Sequence, residues 1–140
     1  RSYLIRSGVQ DALSSLYMLR ALRRPVKAGD RVSVLAFASK KNWETEVHVE
    51  AREVLRTRWG KVPAFRIRPK ITYSDGPLRP KGEVRFWATA DRYRIPIQMT
   101  SVVMIIGRVK AELVKAEGIA EDSVLAKAIR KTRLRKRLRK

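Results

Sequence analysis

The sequence contains no cysteine and a single histidine, His48, in 140 residues. The first absence removes disulfide frameworks, thiolate metal sites and cysteine nucleophiles together, while leaving the redox compartment open. The second confines any Ser-His-Asp triad to His48 and excludes zinc sites built from two or three imidazoles. Acids are scarce too: 13 Asp+Glu stand against 33 Lys+Arg, a formal net charge of +20. No unbroken apolar run exceeds five residues, the length of Val102 to Ile106, whereas a membrane-spanning helix needs about 20. No membrane span is expected. Glycine and proline are few, 7 and 6, and hydrophobic residues make up 44%, which is too apolar and too little broken for disorder throughout. A chain of this length forms one domain and buries roughly two-thirds of the surface it exposes when unfolded.

Catalytic signals are missing in the same way. Neither Gly-x-Gly-x-x-Gly nor Gly-x-x-x-x-Gly-Lys-Ser/Thr occurs, so no loop is built to cradle a nucleotide phosphate. Catalytic carboxylates need neighbours that shift their pKa, and here the acids are scattered among excess bases that favour the ionised form. The expectation is a protein that is not an enzyme and carries no cofactor and no metal. His48, between Glu46 and Glu50 on the polar face of a strand, reads as a solvated residue, because one imidazole with two carboxylates makes only a thin, oxygen-rich site.

What is present is mostly strand. Asp11 opens a helical pattern that stops at Pro25, with Leu13, Leu16 and Tyr17 on one face and Arg20, Arg23 and Arg24 in the last turn, where cations complement the helix dipole. The pattern predicts a helix over 11–24. Lys27 to Asp30 is a turn, and Arg31 to Ser39, apolar at nearly every position from Val34, suits a strand buried on both faces. Lys40 to Asn42 connects it to strict alternation from Trp43 to Arg52, which predicts an antiparallel hairpin. Phe65 to Tyr73 alternates next, and Pro69 inside it marks an edge or a bulge. After the turn-rich stretch from Ser74 to Gly82, further alternation over Val84–Thr89, from Ile95 to Met99 and over Val109–Leu113 completes the pattern, with Gly107 as a bend or bulge. The fold class is therefore mainly β, α+β: a curved antiparallel sheet or partial barrel of five to six strands with an N-terminal helix packed on it and a basic C-terminal helix.

Beyond Gly118 the composition changes. Ala120 to Ile129 is helix-forming, with Leu125, Ala128 and Ile129 spaced for one face, and Arg130, Lys131, Arg133, Arg135, Lys136, Arg137, Arg139 and Lys140 follow with no acid among them. Without those eight, 25 Lys+Arg still face 13 Asp+Glu, a net charge of +12. The body is basic in its own right. We divide the chain into residues 1–118, the sheet with its helix, and 119–140, a basic helical tail whose last turns have too little apolar surface to be buried.

Three segments in order carry a family resemblance: Asp11-Ala-Leu-Ser-Ser-Leu-Tyr-Met-Leu-Arg20 followed by Gly29 and Asp30; Thr57-Arg-Trp-Gly60; and Phe86-Trp-Ala-Thr-Ala-Asp-Arg-Tyr-Arg-Ile-Pro96 followed by Ile106-Gly107-Arg108-Val109-Lys-Ala-Glu-Leu113. Together they resemble the C-terminal half of the bacterial domain of unknown function 3108, over about residues 3 to 115. The resemblance implies a periplasmic or envelope protein, a curved antiparallel sheet partly wrapped around a helix, and no established enzymatic activity. It does not account for the run from Arg130 to Lys140. Arg1 in place of Met leads us to read the chain as processed or partial, so that residues 1–118 should form an open sheet whose edge, covered in longer relatives by upstream strands, invites association.

Two sets of residues are candidates for binding. Trp87, Thr89, Asp91, Arg94 and Pro96 surround a strand-turn-strand corner, either as a ligand site or as structure in which Asp91 caps the turn, Arg94 pairs with it and Pro96 protects an edge. The turn chemistry favours structure. The eight bases of the tail form a polyanion-binding candidate, for anionic lipid or lipopolysaccharide on one reading and nucleic acid on the other. The expected role is a non-catalytic envelope protein whose concave sheet holds an apolar or amphipathic ligand or a partner protein. The alternative is a nucleic-acid-binding module acting through the tail.

Overall fold

The computed structural model describes Met18, Arg20 and residues 24–38, 40–74, 83–103 and 107–138. Six strands follow one another as β1 (Arg31–Ala38), β2 (Lys41–Thr57), β3 (Gly60–Ser74), β4 (Val84–Thr89), β5 (Pro96–Val103) and β6 (Gly107–Glu112), and one helix, α1 (Val124–Arg137), closes the described chain. The strands form a single antiparallel sheet in sequence order, β1-β2-β3-β4-β5-β6. Among the described residues it is a meander with β1 and β6 at its edges, open rather than closed. The helix expected over 11–24 lies, apart from Met18, Arg20 and Arg24, outside the described residues; Met18 and Arg20 are helical.

The longest pairing is the hairpin of β2 and β3, 17 and 15 residues long. Its tip is the Thr57-Arg-Trp-Gly60 segment. There the Thr57 hydroxyl donates to the Gly60 carbonyl at 2.9 Å and accepts the Trp59 N–H at 3.1 Å, and Gly60 takes φ +95°, a backbone region that L side chains rarely adopt. The register slips between Val49 and Ala51. A bulge of this kind moves the side chains beyond it to the opposite face, which is why Val47 and Val49 face one way while Leu55 faces the other.

The sheet therefore has apolar surface on both faces. One cluster, Val62, Ala64, Trp87, Ile95 and Ile97, lies under Leu125 of α1 and is flanked by Leu55, Trp59 and Leu113. The second comprises Val49, Phe65, Ile67 and Ala88, flanked by Val26, Val47 and Phe86. Ser123 caps α1, its hydroxyl accepting the Ala126 N–H at 3.1 Å. The helix is then pinned to the hairpin tip, because the Thr132 hydroxyl reaches the Trp59 carbonyl at 2.9 Å.

Several local expectations need correcting. β1 is not buried on both faces: of its residues with described burial only Val34 is buried, and Arg31 and Ser33 are exposed. An edge strand has one hydrogen-bonded neighbour and is covered from one side only. Gly107, expected as a bend or a bulge, is the first residue of β6, paired with Val103, and takes φ +82°. Pro96 protects no edge, since β5 lies between β4 and β6; it opens its strand opposite Ala88, where the register slips, a place that needs no ladder N–H. Pro69, by contrast, lies on a local edge among the described residues, beyond Ile67, the last β3 residue paired with β4.

Candidate functional site

The corner between β4 and β5 is a hydrogen-bond hub. Oδ1 of Asp91 accepts from the Thr89 hydroxyl at 2.8 Å, the Tyr93 N–H at 3.0 Å and the Arg94 N–H at 3.1 Å. This is the local side-chain-to-backbone closure expected of an aspartate in a turn. Oδ2 turns outward to accept the Val124 N–H at 2.9 Å. One carboxylate thus closes the turn and supplies an acceptor to the first turn of α1, where backbone N–H groups have no helical partner and favour negative charge. Thr89, fully buried, also accepts the Ile95 N–H at 2.8 Å.

Arg94 works differently from the expected ion pair with Asp91. Its backbone is left-handed, φ 44°, and its guanidinium is turned toward the segment around Arg20, donating to the Arg20 carbonyl at 3.3 Å and the Arg24 carbonyl at 2.7 Å. Arg20 returns a bond to the Tyr93 carbonyl at 3.0 Å. A guanidinium set against backbone carbonyls makes charge-assisted hydrogen bonds. Burial first, and then the Arg24 charge, push the Arg94 guanidinium down from its ordinary pKa, while Asp91 opposes them. Of the five corner residues, Thr89, Asp91 and Arg94 are brought together. Trp87 belongs to the core beside them, with its indole N–H on Glu53 Oε1 at 2.6 Å, and Pro96 stands at the wall of an apolar cavity.

That cavity lies on the other side of the sheet from α1. Its volume is about 230 Å³ and its lining is nearly all apolar, with Val32 and Val34 from β1, Val47 from β2, Ile67 from β3, Phe86 from β4 and Ala111 from β6. In a flat six-stranded sheet the two edge strands would lie about 24 Å apart, five spacings of ~4.8 Å. Here both line one cavity. The sheet is therefore strongly curled, with its apolar concave face turned inward and Arg94, Gln98 and Glu112 as the polar members of the lining.

On the face that carries α1, past the apolar cluster, Glu50 serves as counter-ion to three arginines: Arg66 at 3.0 Å, Arg68 at 3.1 Å and Arg85 at 3.4 Å. Glu53 and Glu83 extend the ladder to Arg66 at 3.0 Å and Arg85 at 2.7 Å. With a guanidinium against each acid, the arrangement is suited to cross-linking β2, β3 and β4. His48 is half-buried and sits in register between Arg31 and Arg68. Among the described residues no three His, Asp or Glu side chains gather into a metal-binding group, and no helix is long and apolar enough to cross a membrane.

Of the basic tail, Arg130, Lys131, Arg133, Arg135, Lys136 and Arg137 are exposed on α1, while Arg139 and Lys140 lie outside the described residues. Sequence reasoning placed Leu125 on the apolar face of the helix but did not pick out Ser123 as the cap. The Ser123-Val-Leu-Ala pattern carries the cap signal, since a serine one position before a helical apolar run supplies an acceptor for the first-turn amides.

Fold and site together define an open, mainly antiparallel β protein with a curled sheet, an apolar concavity and a helix bound to its outer face. Residues 1–114 match a family described as "Protein of unknown function (DUF3108)", and the chain belongs to that family. No curated protein and no solved structure matches it.

Proposed function

We propose that the protein is a non-catalytic binding protein of the bacterial cell envelope whose concave sheet face holds an apolar or amphipathic ligand. The observation that carries the reading is the cavity of about 230 Å³, lined by valine, isoleucine, phenylalanine and alanine from both edges and the middle of one sheet. Ligand sites are concave and mostly apolar with a few polar groups that set orientation, and Arg94, Gln98 and Glu112 supply such groups here. The envelope location rests on the family resemblance alone.

The test uses a saturable apolar probe, a fluorescent long-chain fatty acid, titrated into the full chain. Ala111 is exposed on the rim of the cavity, so Ala111→Trp narrows the space without touching the buried clusters. Stoichiometric binding that weakens roughly tenfold or more in Ala111→Trp, at unchanged melting temperature, supports the proposal. Equal binding by both proteins, or none, overturns it. Fractionation of bacteria that express the gene from its own locus tests the compartment, and recovery in the cytosol would refute the envelope part.

A further inference from the structure

The helix α1 changes partners along its length. Leu125 is fully buried against the sheet, Ile129 packs beside it, and the Thr132 hydroxyl bonds to the hairpin tip. At about 100° per residue, Leu134 lies nine positions and about 180° round the helix from Leu125, with Leu138 about 40° further on. These two leucines thus point away from the protein, and they are 59% and 86% exposed. Lys127, Arg130, Lys131 and Arg137 fall within about 60° of Leu134 on the same outer side. Among the described residues, Lys131 and Arg137 have no carboxylate partner.

The bases of the last turn have an ordinary explanation, since Arg135, Lys136 and Arg137 sit where the helix dipole favours cations. The dipole gives no reason for two leucines four residues apart in water among those bases. We propose that the outer face of α1 from Lys127 to Leu138 docks on an anionic phospholipid surface, with Leu134 and Leu138 entering the headgroup boundary and the surrounding bases against the phosphates. Two features fit this occupant together. The positive charge complements anionic headgroups, and an apolar pair set in a basic helical face is the pattern of helices that lie in the membrane interface. Nucleic acid would use the charge and leave the leucines without a role. Single strands are held by stacked aromatics, and α1 contains none.

Co-sedimentation of the full chain with vesicles tests this, using phosphatidylcholine alone and phosphatidylcholine with phosphatidylglycerol. The expected result is binding to the anionic vesicles only, weakened by added salt, and lowered roughly tenfold or more in Leu134→Ala/Leu138→Ala, which keeps every charge and a helix-forming residue at each position. Circular dichroism and melting of the double variant should match those of the parent, since both side chains are exposed. Vesicle binding that ignores the leucine replacements, or a duplex or single-stranded nucleic acid that displaces the protein from the vesicles and binds the double variant equally, would overturn the proposal. Ala111→Trp should bind vesicles as the parent does, so failure here and failure of the cavity reading remain distinguishable.

Discussion

Replacing Asp91 by alanine should be the most damaging single change at the corner. The substitution removes the acceptor for four donors: the Thr89 hydroxyl and the Tyr93, Arg94 and Val124 amides. Hydrogen bonds to a charged acceptor contribute about 1.5–3 kcal/mol each, but they are not additive, and turn amides regain water when the side chain leaves, so a total near 3 kcal/mol is the reasonable magnitude. Against a stability of roughly 5–15 kcal/mol for a domain, that loss is large. It corresponds to a melting temperature lower by about 10 °C in a chain of this size. Asp91→Asn separates the two roles of the carboxylate. The amide oxygen can still close the turn, while the amide NH2 meets the Val124 N–H donor to donor, so only the helix end suffers, by about 1–2 kcal/mol. Denaturant melts of both variants, with Glu117→Ala as an exposed control, give the order. Amide exchange gives the location: Val124 should lose protection in both variants, Tyr93 and Arg94 only in the alanine. If Asp91→Ala costs less than about 1 kcal/mol, or if the asparagine destabilises as much as the alanine while Val124 stays protected, the corner does not hold the fold as argued.

Arg94→Met keeps much of the side-chain length but withdraws the donors to the Arg20 and Arg24 carbonyls; a loss of about 2–3 kcal/mol in a denaturant melt, with faster proteolysis near Arg24, is expected. Gly60→Ala meets no atom within 4 Å, so its cost is the strain of φ +95° alone; about 1 kcal/mol is expected, and a neutral result would show that the hairpin tip relaxes. Stability should also fall on acidification. The Lys27 amide and Arg24 hold the Asp30 carboxyl below its ordinary value of 3.8, and the Tyr93 hydroxyl and Arg92 do the same for Asp122. A depressed carboxyl favours the folded state above its unfolded pKa, and that contribution disappears as pH falls below 3.8 through the folded value. Melting followed from pH 5 to pH 2 should show a decline that is shallower in Asp122→Asn, and identical slopes would refute the assignment.

The strands, and the antiparallel pairing of the first two, were legible in local pattern. Alternation from Trp43 to Arg52 and from Phe65 to Tyr73 encodes a period of two, and the short connection at Lys40 fixes antiparallel pairing, so neighbours in sequence are neighbours in the sheet. The role of Asp91 as a turn cap was legible for the same reason: its Oδ1 partners lie within three residues. Its second partner, Val124, lies 33 residues away, and no local pattern contains that bond. Partners distant in sequence also decided where Arg94 sends its guanidinium, that Trp87 lies in the core, and that Leu125 closes the sheet. The bulge at Val49 and Ala51 matters most, because one extra residue exchanges the faces of a strand and so divides the apolar residues between the helix side and the cavity side. Sequence by itself determined a set of antiparallel strands, a basic surface and a charged helix after them, because each of these is a property of adjacent residues. Only the tertiary structure decided that the sheet curls until β1 and β6 share a cavity and that Leu134 and Leu138 face away from it, because curvature and the seating of a helix arise from contacts between segments far apart in the chain.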